Sequence, residues 1–173
     1  LAYDYNVNSA IFDGIALYKE AFGASYAYDE NGNVQSVEDA QGVNTVYQYA
    51  DNGVDLLNVW ENVGPDEIPD GADYPQRDPD ITYTYDAHHN MTSSVSPEGI
   101  TTAYTYDQYG NVTQVSVTAP GSTVPMVTKS TYTEDGNLLL STEDAAGNIT
   151  RYGYNRDTNL LEWVQYPNDT EAT

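Results

Sequence analysis

The stretch Thr101-Thr-Ala-Tyr104-Thr-Tyr106-Asp-Gln-Tyr-Gly110-Asn111-Val112-Thr-Gln-Val115-Ser-Val117 decides the fold. Tyr104 and Tyr106 are two positions apart, so both rings fall on one face of an extended strand. Past them, Gly110 offers the positive φ that a tight hairpin requires. The β-branched run from Val112 to Val117 then carries the chain back, which predicts two antiparallel strands and a short turn. One such hairpin cannot bury its own face and needs neighbours to stack against.

The neighbours are written along the chain. The same pattern begins at Tyr28-Asp-Glu-Asn-Gly32-Asn33, Tyr49-Ala-Asp-Asn-Gly53-Val54, Tyr85-Asp-Ala-His-His-Asn90, Tyr106-Asp-Gln-Tyr-Gly110-Asn111, Tyr132-Thr-Glu-Asp-Gly136-Asn137 and Tyr154-Asn-Arg-Asp-Thr-Asn159. These anchor tyrosines lie 21, 36, 21, 26 and 22 residues apart, so the underlying period is 21 to 22. A second landmark, a Gly preceded by an acidic residue or Pro, follows 14 or 15 residues after four of the anchors, at Gly42, Gly99, Gly121 and Gly147. Each unit is thus two strands and two turns. Asn31-Gly32, Asn52-Gly53 and Asp135-Gly136 supply the positive φ of their hairpins. Stacking such units gives a continuous sheet carrying a Tyr and aliphatic ladder.

The pattern divides the chain into four. Residues 26–61 and 81–173 hold the repeats. Residues 62–80 contain Pro65, Pro69, Pro75 and Pro79 among acidic side chains and read as an inserted loop that cannot continue a ladder. Residues 1–25 read as a degenerate repeat or capping segment, with Ile11 to Phe22 forming a short helix or another hairpin. Thr118 to Thr128, with Pro120 and Pro125, reads as a widened hairpin end.

Composition agrees. Seventeen Tyr against two Phe and two Trp suit half-buried pleated surfaces whose rings meet water at one end. The net charge of −22, with only five Lys and Arg, reverses the attraction that drives binding to nucleic acid or anionic membranes. It serves solubility in an array with strand edges, or attracts cations or a basic partner. Cysteine is absent, which excludes disulfides, thiolate metal sites and a Cys nucleophile. No stretch approaches the roughly 20 apolar residues of a membrane helix. Without an initiating Met or a signal peptide, the sequence reads as a piece of a longer polypeptide.

Six units in register resemble the YD repeats of the Rhs family, found in bacterial polymorphic toxins, wall-associated proteins, insecticidal toxin complexes and teneurins. The resemblance covers about residues 26–166. It implies an all-β fold in which tandem hairpins form part of a curved sheet or hollow β-shell. It further implies a non-catalytic structural segment of a large secreted or cell-surface protein, bacterial by its acidity, that encapsulates or displays a neighbouring domain. Partners would then be flanking repeats and that domain within one polypeptide. The self-cleaving aspartyl motif that ends the repeats of many such toxins has no counterpart here.

Candidate sites other than the repeat residues are few. His88-His89 stands where sister units have Asn-Gly or Tyr-Gly, which assigns it to a turn before a metal site. Asp29 to Asn33 lacks the glycine spacing and late Glu of an EF-hand loop, so no cofactor or metal is expected. Carboxylates fall on turn positions rather than forming a distinguishable catalytic pair. Trp60 and Trp163 follow strand-like segments near repeat ends. They either pack in the sheet or stack on sugars, and the second reading makes the chain a carbohydrate- or partner-binding adhesion module.

Overall fold

A computed structural model of the chain describes residues 23–64, 66–69 and 72–169. The expectations for residues 1–22, including the helix or hairpin at Ile11 to Phe22, lie outside these. The described residues form twelve strands and no helix: β1 Ser25–Tyr28, β2 Val34–Glu38, β3 Asn44–Tyr49, β4 Leu56–Val63, β5 Ile81–Tyr85, β6 Met91–Val95, β7 Thr101–Tyr106, β8 Val112–Thr118, β9 Met126–Tyr132, β10 Leu139–Glu143, β11 Ile149–Tyr154 and β12 Leu161–Gln165. The chain separates into two compact units, Leu1–Ile81 and Thr82–Thr173. In each, strands lie side by side in chain order and every pair is antiparallel. The all-β hairpin array read from the sequence is the fold.

All six anchor tyrosines end a strand, each opposite an aliphatic or Met side chain. The pairs are Tyr28 with Val34, Tyr49 with Leu56, Tyr85 with Met91, Tyr106 with Val112, Tyr132 with Leu139 and Tyr154 with Leu161. Immediately behind each pair the register shifts by one residue, a β-bulge on the returning strand. Bulges sharpen the local right-handed twist. At the opposite ends, the pairings of β2 with β3, β6 with β7, β8 with β9 and β10 with β11 run without a shift.

The two faces of the second unit differ. Tyr104 pairs with Val115, Thr102 with Val117 and Val117 with Met126, which places rings and methyl groups together on one face. On the other, hydroxyls meet across strands: Thr84 with Ser93 at 2.7 Å and Thr131 with Ser141 at 2.7 Å. Among the described residues of this unit only Gly153 is buried.

The first unit has a core. Val46, Val59, Trp60 and Val63 are buried, and Ile68 and Tyr74 pack against the cluster of Val46, Trp60 and Val63. The proline-rich segment after β4 is therefore not a free excursion, since it folds back as cover for Trp60. Tyr74 stacks on the Trp60 ring with centroids 5.6 Å apart, and Trp60 Nε1 donates to the Arg77 carbonyl at 3.0 Å. Arg77 fastens the segment. Its guanidinium donates to Glu67 at 2.8 Å, to Asp80 at 2.9 Å and to the Glu61 carbonyl at 2.6 Å. The hydrogen bond from Arg77 holds the Glu67 carboxyl below its usual range, aided by the Gly64 N–H.

Candidate functional site: a joint repeated between hairpins

The residues that define the repeat come together at the hairpin tips. In the tip after β1, the Asp29 N–H donates to the Asn33 carbonyl at 2.9 Å and the Gly32 N–H to the Asp29 carbonyl at 3.1 Å. Gly32 has φ +86°. This is a type I turn closed by a bulge residue in the left-handed region. Of each Asn-Gly or Asp-Gly pair only the glycine takes positive φ; Asn31, Asn52 and Asp135 stay in ordinary regions.

What holds the turn is the Asp of Tyr-Asp. Asp29 Oδ1 accepts from the Asn31 and Asn33 N–H groups, Asp86 Oδ1 from His88 and Asn90, and Asp107 Oδ1 from Tyr109 and Asn111, all between 2.8 and 3.0 Å. The other carboxylate oxygen accepts from the closing Asn side chain in each, at 3.1, 3.0 and 3.1 Å. Asp86 is held below the ordinary carboxylate range, first by the Asn90 amide and then by backbone N–H groups. Two of the four turns at the second landmark use the same device: Asp39 Oδ1 accepts from Gln41 and Val43, and Asp144 Oδ1 from Ala146 and Asn148. Sequence reading chose Tyr, Gly and Asn as repeat-defining and passed over these aspartates. The signal was present, since Asp-x-x-Gly-Asn occurs at Asp29, Asp107 and Asp144.

Where Tyr is followed by another residue the loop is one residue longer. Ala50 closes on Asp55, Thr133 on Leu138 and Asn155 on Leu160. These tips find other staples, such as Asn52 Oδ1 accepting from Val54 and Asp55, and Thr133 Oγ1 accepting from Leu138. Asn137 gives its amide to Asp135 within its own turn, and Asn159 itself takes φ +55°. His89 likewise takes φ +65° in the position of Gly110 in the sister unit. The His pair is thus placed in a turn, with the His88 N–H bound to Asp86. Among the described residues no group of three or more His, Asp or Glu is arranged to hold a metal.

Two kinds of contact tie one tip to the next at two places in the array. Asn33 Nδ2 donates to the Gly53 carbonyl at 2.9 Å, and Asn111 Nδ2 to the Gly136 carbonyl at 2.8 Å. Side chains of the earlier tip lie over the same glycines. A Cβ at Gly53 would stand 2.8 Å from Asn31 Nδ2, and one at Gly136 would overlap the Tyr109 ring, whose hydroxyl donates to the Glu134 carbonyl at 3.0 Å.

Three of the anchor tyrosines make the complementary tie backwards. Tyr106 Oη donates to the Met91 carbonyl at 2.6 Å, Tyr132 Oη to Val112 at 3.1 Å and Tyr154 Oη to Leu139 at 2.9 Å. Each acceptor is the residue paired with the preceding anchor tyrosine. The register agrees at all three joints: the residue two after the acceptor pairs with the residue three before the donor, as Ser93 with Ala103, Gln114 with Lys129 and Ser141 with Arg151. Phenylalanine could not make this tie, which accounts for Tyr at these three anchors.

Neither tryptophan lies in this joint. Trp60 is 4% exposed under Tyr74, so its ring is not presented to a sugar. Trp163 is half-buried and its ring covers Gly153 on the neighbouring strand, filling the space a Cβ would occupy.

Comparison with known proteins agrees with this geometry. Residues 85–124 match the family model described as RHS Repeat. No curated protein matches the chain in sequence. Among solved structures, TcdB2-TccC3-TEV matches at 18% identity with a TM-score of 0.61 over 85% of this chain and 8% of that one. TcdB2-TccC3 without its hypervariable C-terminal region matches at 18% identity and a TM-score of 0.45, over 88% of this chain and 11% of that one. The Photorhabdus luminescens Tc holotoxin pore gives 18% identity and 0.45, over 86% and 10%. The chain thus spans about a tenth of these proteins, and the first match supports the fold. Residues 85–124 thus match the Rhs repeat model, and the described residues on either side of them form antiparallel hairpins of the same kind.

Proposed function

We propose that the chain is a non-catalytic structural segment of a large secreted or cell-surface bacterial protein, a stretch of β-wall that encapsulates or displays a neighbouring domain of the same polypeptide. The observation that carries this reading is the joint. Its phenol tie and pairing register are the same at Tyr106, Tyr132 and Tyr154, so these three anchor side chains attach one hairpin to the one before it. A joint that recurs from hairpin to hairpin extends a wall; it does not shape a substrate pocket. The likeness to TcdB2-TccC3-TEV supports the same conclusion at the level of the fold. The acidity keeps such a surface soluble.

Limited proteolysis of the full parent protein, with fragments mapped by mass spectrometry, tests the proposal. The repeat region is expected to resist as one block and to shield a segment that is digested quickly when made alone. Resistance without any shielded segment would refute encapsulation and leave a display role. A repeat region cut as readily as a linker would refute the wall itself.

A further inference from the structure

We propose that Asn31 is a site of spontaneous covalent modification, where the Gly32 nitrogen displaces the side-chain amide and so loosens the contact between the first two tips. This goes beyond the wall reading and holds whatever the array encloses.

The chemistry belongs to the Asn-Gly pair. As the Gly nitrogen gives up its proton to solvent, it attacks the Asn Cγ. The new N–C bond closes a succinimide ring, and the side-chain nitrogen leaves as ammonia. Water then opens the ring, to aspartate or to isoaspartate, in which the main chain runs through the former side chain. The net exchange is water for ammonia. Glycine permits the attack because no Cβ crowds its nitrogen. Two such pairs occur, Asn31-Gly32 and Asn52-Gly53, and both asparagines are exposed at hairpin tips.

The two sites hold the nucleophile alike and the electrophile differently. The Gly32 N–H donates to the Asp29 carbonyl at 3.1 Å and the Gly53 N–H to the Ala50 carbonyl at 2.9 Å, so each must leave one turn hydrogen bond to react. At Asn52 the carbon under attack is also held. Its Oδ1 accepts from the Val54 and Asp55 N–H groups at 2.9 and 3.1 Å, and its Nδ2 donates to the carboxylate of buried Asp55 at 2.7 Å. Turning Asn52 towards the Gly53 nitrogen breaks all three. The Asn31 amide instead rests on Gly53 of the next tip and makes no hydrogen bond among the described residues. Asp29 staples the main chain of this turn through the Asn31 and Asn33 N–H groups, which leaves the Asn31 side chain unheld.

The position gives the reaction its consequence. The residue lying over the next tip's glycine is Asn31 in this joint and Tyr109 in the later one, where no such change is open. Conversion adds a carboxylate beside Asp29 and Glu30. Isoaspartate also lengthens the main-chain path, which draws the Asn33 N–H from Asp29 Oδ1 and the Asn33 amide from the Gly53 carbonyl.

The test ages the 173-residue chain in mildly alkaline buffer, folded and, in parallel, in concentrated urea. Mass spectrometry of its peptides follows the gain that accompanies conversion of Asn to Asp or isoaspartate. In urea the two Asn-Gly pairs should convert alike. In the folded chain Asn31 should convert roughly tenfold or more faster than Asn52, the difference made by the hydrogen bonds that hold Asn52. Equal rates in the folded chain, or a folded Asn31 that stays intact while the urea sample converts, would overturn the assignment. Aged wild-type chain should exchange the Asn33 amide hydrogen faster than Asn31→Ala aged beside it; no difference would overturn the loosening of the joint. Neither result depends on whether the parent protein shields a domain, so the wall proposal fails or stands separately.

Discussion

Replacing Gly136 by Ala separates two costs that a turn glycine can carry. At Gly147, φ is +84° and nothing lies within 4 Å of an added Cβ, so Gly147→Ala pays only for forcing an L-residue into the left-handed region, about 1–2 kcal/mol. Gly136 has φ +73°, so it carries that cost too, and its Cβ would in addition overlap the Tyr109 ring from the preceding tip. Tyr109 is 54% exposed, so displacing its ring adds the low end of the overpacking cost, about 1 kcal/mol. Gly136→Ala should therefore cost about 2–3 kcal/mol, more than Gly147→Ala. Urea unfolding followed by circular dichroism measures both, with m-values compared to confirm that the unfolded ensemble is unchanged. Tyr109→Ala in the Gly136→Ala background removes the overlap, so the double variant should be more stable than the sum of the single effects by at least about 1 kcal/mol. Equal losses at the two glycines, together with additivity between Gly136 and Tyr109, would refute the inter-tip contact.

Tyr106→Phe, Tyr132→Phe and Tyr154→Phe should each lose about 0.5–1.5 kcal/mol in the same assay, the value of one hydrogen bond to a carbonyl, and a neutral result at all three would remove the backward tie. Gly153→Ala should expel the Trp163 ring and change its fluorescence while Trp60 stays buried; an unchanged spectrum would show that the ring does not depend on this glycine. Arg77→Ala should loosen the cover over Trp60, giving a red-shifted emission that Arg77→Lys restores poorly, because an ammonium cannot serve Glu67, Asp80 and the Glu61 carbonyl at once. Acid should weaken the turns: Asp86 and Asp144 titrate below their unfolded value of 3.8, each held down first by its closing Asn. Their contribution is complete above that value and is lost as pH falls through the lowered folded values, so Asp86→Asn with Asp144→Asn should flatten the acid limb of a stability profile. An acid limb of unchanged steepness would contradict this.

Much of the fold was legible because its signals are local. Tyr104 and Tyr106 declare a strand by spacing, and Gly110 declares the turn by its missing Cβ. The partners of those residues were not legible. That Tyr106 Oη reaches Met91, or that Asn111 reaches Gly136, depends on register between strands 15 and 25 residues apart. The bulge at every anchor pair is hidden for the same reason, since one extra residue on the returning strand leaves no mark in composition. Asn159 shows where alignment misleads. It stands five places after Tyr154 as Asn33 does after Tyr28, yet its N–H closes a wider turn on the Asn155 carbonyl, and it takes the left-handed conformation that Gly32 holds in the sister unit. Trp60 was open between a packed and a displayed ring until the segment carrying Tyr74 and Arg77 was seen to fold over it. No periodicity announces that a proline-rich stretch will turn back.

The two ends of the hairpins answer differently to added chain. At the Tyr-Asp end every described loop closes over five or six residues, and at Gly53 and Gly136 the tip is met by its neighbour. At the other end the sequence runs from the five-residue closure of Asp39 on Val43 to the long excursions 64–80 and 119–125, while the anchor pairs and their register shifts persist on either side. Length is thus tolerated on one side alone. Foreign sequence grafted beside the exposed Val124 should be carried without disturbing the array.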